Sequence, residues 1–462
     1  TEGETRNITV PGTGTDLSVC QAQADNALRG ATTLTVNAQQ KGDLLNITEA
    51  RAENRQLVAT AKGAISPSGT NINAHAEIGT LGALAAHWQG ALSADAILTE
   101  APGGTRNLRV DAVGQNIALG QVNADGALSG QTDITVLAEQ APDGTIDVKS
   151  VDIRNPQLTA NASAQIKGGA IDGQAAAQVQ DLSLLGRGWE GTLDATAKIT
   201  TDDAGTRQVE IGGTGQNIRL GQAQADAALT GTTTLDILAQ QAKGGAIHVA
   251  RAIVVNDQLN IAAQGDIGDD RTDATAKIVV RSLASLGVGL QGALDVDARF
   301  ADTGDGARRL TVTGEGDNLA FGQTGLQGAN GRSQIDISAL ERDGTYTIEK
   351  ADLLSDQNQI RASGVIAPSG TDAKAELRLG DLADFGLGAS GALNADATLT
   401  DDGQGGRNFA LTGTATDLAL NQAGPDRALK GEARIHAQGS QKAGLITVEQ
   451  AQIDHPQLTA NA

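Results

Sequence analysis

A segment of about one hundred residues recurs along the whole chain, and that period constrains the fold more than any other feature. NRQLVATA at 54–61 returns as NPQLTANA at 155–162, NDQLNIAA at 256–263 and HPQLTANA at 455–462. Their glutamines, aligned as Gln56, Gln157, Gln258, Gln359 and Gln457, are 101, 101, 101 and 98 residues apart. Leu92, Leu193, Leu294 and Leu393, in GALSADA, GTLDATA, GALDVDA and GALNADA, are spaced 101, 101 and 99. A third marker, GTGQNIRLGQ at 213–222, echoes VGQNIALGQ at 113–121, GDNLAFGQ at 316–323 and TDLALNQ at 416–422. A chain of 462 residues would otherwise suggest about three domains. The period replaces that count with the end of a repeat at 1–11, repeats at 12–111, 112–211, 212–312 and 313–411, and a partial repeat at 412–462. Because HPQLTANA stops where the earlier copy continues through SAQI at 163–166, the chain is expected to end inside a repeated strand of a longer body.

Within one period the hydrophobic pattern has a spacing of two. In QLNIAAQGDI, Leu259, Ile261, Ala263, Gly265 and Ile267 alternate with Asn260, Ala262, Gln264 and Asp266, as in a half-buried strand. LDVDARF places Leu294, Val296, Ala298 and Phe300 on one face and Asp295, Asp297 and Arg299 on the other. Turn clusters such as EAPGGTR, TDDAGTR, ADTGDGARR and TDDGQGGR separate these runs. About seven strand-like runs fit into each period, and no window keeps a helical pattern, so the expected class is all-β.

Composition narrows the architecture. Aromatic residues make up 2% of the chain against 39% hydrophobic in all, with 59 glycines and no methionine, so its interior must be built from Ala, Leu, Ile and Val. Many small shared interfaces suit that supply better than a closed aromatic core. The position of Trp88 and Trp189 becomes Leu290 and Ala389 in later copies, a size change expected of an open groove or rim. Together these features predict an elongated all-β repeat sheet, gutter-like or solenoid-like, with one apolar inner face. Tandem immunoglobulin-like domains of about this size, as in a surface adhesin, are the competing arrangement, and a β-helical solenoid would need a much shorter period.

With 34 basic against 55 acidic residues and a net charge of −21, the chain offers no footprint for nucleic acid. The lone Cys20 allows no internal disulfide and shares a repeat position with Gly120, Gly221, Gly322 and Asn421. No stretch reaches the roughly 18 apolar residues of a membrane span, so an anchor or signal would lie outside these residues.

Motifs for chemistry point to turns. GGTGQNIRL at 212–220 resembles a calcium-binding nonapeptide, but Asn217 stands where the ligand aspartate would be and the segment does not recur every nine residues. Asp302, Asp305, Asp401 and Asp402 lack a closing glutamate. His75, His87, His248, His436 and His455 occupy non-equivalent places without ligand spacing. Neither a nucleophile elbow nor a phosphate loop occurs. The expectation is therefore a protein that is not an enzyme and has no metal or cofactor.

The recurring patterns G-x-L-x-A-D-A-x-L, G-x-G-x-N-I-x-L-G-Q, G-x-I-x-V and Q-L-x-A-x-A-x-G-x-I span essentially the whole chain. They resemble the long periplasmic body of the TamB family, the translocation and assembly module proteins of the AsmA-like group. The resemblance implies a sheet folded lengthwise into a gutter, anchored in the inner membrane and reaching toward the outer membrane. It further implies phospholipid transfer and outer-membrane protein assembly with a barrel partner, TamA, through an anchor and a C-terminal domain outside these residues. The alternation supports the same mechanism, because an apolar face with small side chains leaves room for acyl chains. The expected groove residues are Leu92, Ala94 and Ala96; Leu158, Ala160 and Ala162; Leu193, Ala195 and Ala197; Leu259, Ile261 and Ala263; Leu294, Val296 and Ala298; and Leu393, Ala395 and Ala397.

Overall fold

The computed structural model describes residues 5–121, 125–268, 271–287, 289–321, 329–385, 388–401, 405–442 and 445–461. The chain is all-β, as the alternation predicts, and divides into two compact units. The first comprises Thr1–Gly221 with Thr230–Lys243, the second Gln222–Leu229 with Gly244–Ala462.

In the first unit one period reads β1 (Arg6–Thr15), a short helix (Ala22–Ala27), β2 (Ala31–Lys41), β3 (Leu44–Glu53), β4 (Leu57–Ser66) and β5 (Gly69–Ile78). A 3-10 turn (Leu81–Ala83) and β6 (Gln89–Glu100) complete it, and β7 (Arg106–Ala118) repeats β1. The period thus holds six strands, not about seven, because the stretch between β1 and β2 coils into a helix too short to show a periodic face.

Within the first unit the strands pair antiparallel with their neighbours in sequence, from β1 with β2 through β6 with β7 and onward in the same manner. Among the described residues β1 pairs with β2 alone, which leaves the ladder open at that edge. The second unit repeats the pattern from Ile247–Val255 to Leu458–Asn461. Within each unit such a ladder is a continuous antiparallel meander rather than a row of immunoglobulin-like sandwiches, in which strands would divide into two separate facing sheets every hundred residues.

The two ends of the strands differ. Short hairpins join β2 to β3, β4 to β5 and β6 to β7, whereas the helical segments after β1 and β5 lie together at the opposite end. Asn26 Nδ2 donates to Leu84 O at 2.9 Å, joining those two segments. The glycine of the G-x-L motif follows the second segment. Gly90, Gly191, Gly292 and Gly391 adopt φ of 98, 102, 99 and 107°, and each marks a register shift at the start of its strand. A Cβ there would lie 2.4–2.7 Å from the carbonyl oxygens of the next strand, so only glycine fits.

A polar clasp holds the helical end. Asn155, nearly buried, places Nδ2 2.9 Å from Ser129 O and 3.0 Å from both Gln131 O and Thr132 Oγ1, while its Oδ1 accepts Gln157 N at 3.0 Å. Asn54 and Asn256 repeat the clasp, and Ser355 and His455 take its place in the last two copies. Asn155→Ala strands several buried polar groups. It is expected to destabilise the first unit by about 2 kcal/mol, read as a lower urea midpoint, with the exposed Asn161→Ala as a silent control.

The ladder corrects one alignment. Asn358 faces Leu379 as Leu259 faces Val280, so the mate of Gln258 is Gln357, 99 residues on and 100 before Gln457. Gln359 faces Arg378 on the polar side. The fourth copy is two residues shorter, and the strand keeps its register through Ile360 and Ala362, whose apolar side chains must stay inward.

Candidate apolar groove

Facing residues in an antiparallel ladder share a side of the sheet, so the registers assign the apolar face directly. In the first unit Leu57, Ile78, Leu92 and Gly114 form one row nearest the helical end. Ala59, Ala76, Ala94 and Ala112 form the next, and Ala61, Ala74, Ala96 and Val110 a third. Gly63, Ile72, Leu98 and Leu108 lie nearer the hairpins. The second unit shows the same order: Leu379, Leu393 and Ala415, then Leu377, Ala395 and Gly413, then Ala375, Ala397 and Leu411.

The nine predicted groove residues in each unit all fall on that unit's apolar face. They are not equivalent along the strand. Leu382 of a 3-10 turn and Leu429, after the helix at Ala423–Ala428, seal Leu393, Ala395, Ala415, Leu418 and Ala433 into a core at the helical end. Leu259, with Ala228, Val280, Leu283 and Leu319, is sealed likewise, and Val296 is also buried. Leu92 packs against the cluster of Ile78, Leu81, Ala83 and Ile117 in the first unit, with Trp88 half-buried at its rim.

Toward the hairpins the same face opens. Ile65, Leu108 and Ile171 are 40, 38 and 36% exposed in the first unit, and Ile267, Tyr346 and Ile366 are 48, 51 and 44% exposed in the second. Between the two ends the small Ala162, Ala263, Ala276 and Ala298 line the face partly buried, and Ala175 lines it exposed. Sequence alternation assigned the face but could not rank its rows, because helical cover comes from segments remote from each strand. The hairpin-end apolar residues were therefore not among the expected groove residues, although alternation puts Ile267 on this face and Ile65, Ile166 and Ile267 recur at the repeat spacing.

The opposite face is charged and wet. Arg299 forks onto Asp273 (Nε to Oδ1 3.0 Å, Nη2 to Oδ2 2.8 Å), and the guanidinium holds the carboxyl below its ordinary range. Arg109 does the same to Asp111. His75 lies 2.8 Å from Asp95, and that hydrogen bond raises its pKa. Its contribution to stability is therefore present below its unfolded pKa and is lost as pH rises through the folded one.

The remaining motif residues have local roles. Cys20 is exposed at φ 60°, and its mates Gly120, Gly221 and Asn421 also have positive φ, while Gly322 lies outside the described residues. Asn217, at φ 49°, accepts Gly231 N at 3.0 Å and closes its loop. Asp305 pairs with Arg342 at 2.6 Å, and Asp402 lies outside the described residues. His248 pairs with Asp266 at 2.7 Å, His436 Nδ1 lies 2.9 Å from Thr412 Oγ1, and His87 stacks edgewise on Trp88. Among the described residues no three His, Cys, Asp or Glu side chains are placed to hold a metal ion, and no helix is long and apolar enough to cross a membrane. No family model and no curated protein matches the chain.

Proposed function

We propose that the chain is part of a scaffold or conduit in the bacterial envelope that shields phospholipid acyl chains on its apolar β-face, in the manner of TamB-like proteins. In this reading it lies in the periplasm, is anchored to the inner membrane through a segment outside these residues, and supports outer-membrane protein assembly alongside a TamA-type barrel. The observation that carries the reading is the apolar face that remains open toward the hairpins, floored by alanines and lined by exposed Ile, Leu and Tyr. A monomer seldom leaves a long apolar strip uncovered without a use for it. An acyl chain of about sixteen carbons laid there gains on the order of 10 kcal/mol before losses of freedom, with no need for a specific polar ligand.

A photo-crosslinking residue at Ala162, Ala263 or Ala298, installed in cells, is expected to capture phospholipid. The same residue at Asn161, Gln264 or Asp297, on the charged face, is expected to capture none. Capture at neither set, or equally at both, would overturn the conduit.

A further inference from the structure

The hairpin end of the apolar face carries a feature that the conduit alone does not need. Each strand of the β1 type opens with an arginine on the apolar side: Arg6 two residues before Ile8, Arg106 before Leu108, Arg207 before Val209, Arg308 before Leu310 and Arg407 before Phe409. Apart from the buried Asn358, the interior rows of this face hold apolar, glycine, serine and threonine residues, so charge on it is confined to the hairpin rim.

The neighbours of these arginines differ from copy to copy. Arg308 lies 3.5 Å from Asp302 and faces Glu341, and Arg407 faces Asp401. In the first unit Arg106 lies 3.3 Å from Glu100, but Arg6 faces Gln40, and Arg207 lies between Thr201 and Gln241. Among the described residues Arg6 and Arg207 make no ion pair, in a chain of 55 acidic and 34 basic residues. The nearby Asp202 is turned into its own hairpin, accepting Thr206 N at 2.8 Å. Beside Arg207 on the same rim stand Ile171 and Ile166, and beside Arg6, beyond Gln40, stand Leu45 and Ile65.

Resting on the conduit reading, we propose that Arg6 and Arg207 bind the phosphate of a diacyl phospholipid at the hairpin rim while its acyl chains run from the rim isoleucines onto the alanine floor. A guanidinium without an acidic partner presents a fork of donors suited to phosphate oxygens. The amide of Gln40 or Gln241 adjoins it, and the apolar rows begin one residue pair inward. In the second unit Arg308 is paired with Asp302 and Arg407 faces Asp401, so each has a carboxylate opposite it and does not take this role.

The purified protein, loaded from detergent with phosphatidylglycerol or with diacylglycerol of the same acyl chains, tests this by the lipid retained. R6Q/R207Q is expected to weaken phosphatidylglycerol retention about tenfold or more and to leave diacylglycerol retention unchanged. R308Q/R407Q, with the same change of charge, is expected to change neither. Unchanged phosphatidylglycerol retention in R6Q/R207Q, or an equal fall in R308Q/R407Q, overturns the phosphate site while leaving the conduit standing. Failure of the native protein to retain either lipid overturns both.

Discussion

Leu429→Ala is expected to cost about 3–5 kcal/mol, the largest effect of any single truncation in the second unit. Leu429 is fully buried after the helix at Ala423–Ala428 and packs with Leu382, Leu393, Ala415, Leu418 and Ala433. Those partners come from a 3-10 turn and three strands, and two of them are alanines that cannot swing into the space left behind. The cavity therefore adds to the lost transfer energy. Hydrogen exchange across Ser390–Asp401, Gly406–Ala419 and Glu432–Lys442 reads the loss where it occurs. Leu445→Ala, at a residue 71% exposed, is expected to stay within about 0.5 kcal/mol. Similar losses from the two substitutions would mean that the helical segment does not seal a core.

Gly191→Ala is expected to destabilise the first unit by about 3 kcal/mol, combining backbone strain with overpacking. The residue has φ 102°, and a methyl group would stand 2.4 Å from Gln216 O and 2.6 Å from Asn217 O. Both obstacles are backbone atoms fixed by the ladder, so the strand must shift and lose the register of Glu190–Thr201 against Arg207–Arg219. Gly168→Ala supplies the contrast. Its φ of 58° is also positive, but no atom lies within 4 Å of the added Cβ, so about 1 kcal/mol of conformational cost is expected. Thermal unfolding of the two variants separates steric blockage from conformational preference, and equal shifts would remove the steric argument.

Much of the fold is legible in the residues themselves. The period follows from markers such as Leu92 and Leu193, and the face from alternation such as Leu259, Ile261 and Ala263, because a strand's side chains must alternate. The features that escaped depended on partners distant in sequence. The alignment of Gln359 failed because Gln357 and Gln359 offer similar local text and only the pairing of Asn358 with Leu379 and of Gln359 with Arg378 distinguishes them. The helix at Ala22–Ala27 was unreadable because six residues are too few to display a face. The rim arginines were visible in Thr5–Arg6–Asn7, Thr105–Arg106–Asn107 and Thr206–Arg207–Gln208, yet they resembled turn punctuation until the registers placed them beside Ile171 and Leu108. Burial was the least legible property, since Leu393 and Ala397 have the same alternation and different cover.

The number of strands in each copy governs how such a chain can change length. Six is even, so a copy returns the backbone to the end of the sheet from which it started, with the next β1-type strand running in the same direction. Whole copies, or any hairpin pair, can therefore be gained or lost without exchanging the helical end for the hairpin end in the copies downstream. Gain or loss of a single strand would reverse every later strand and break the sealed margin. The architecture is thus permissive to growth in steps of two strands and resistant to steps of one, so length can be adjusted while the lining of the face and the identity of its margins are inherited intact.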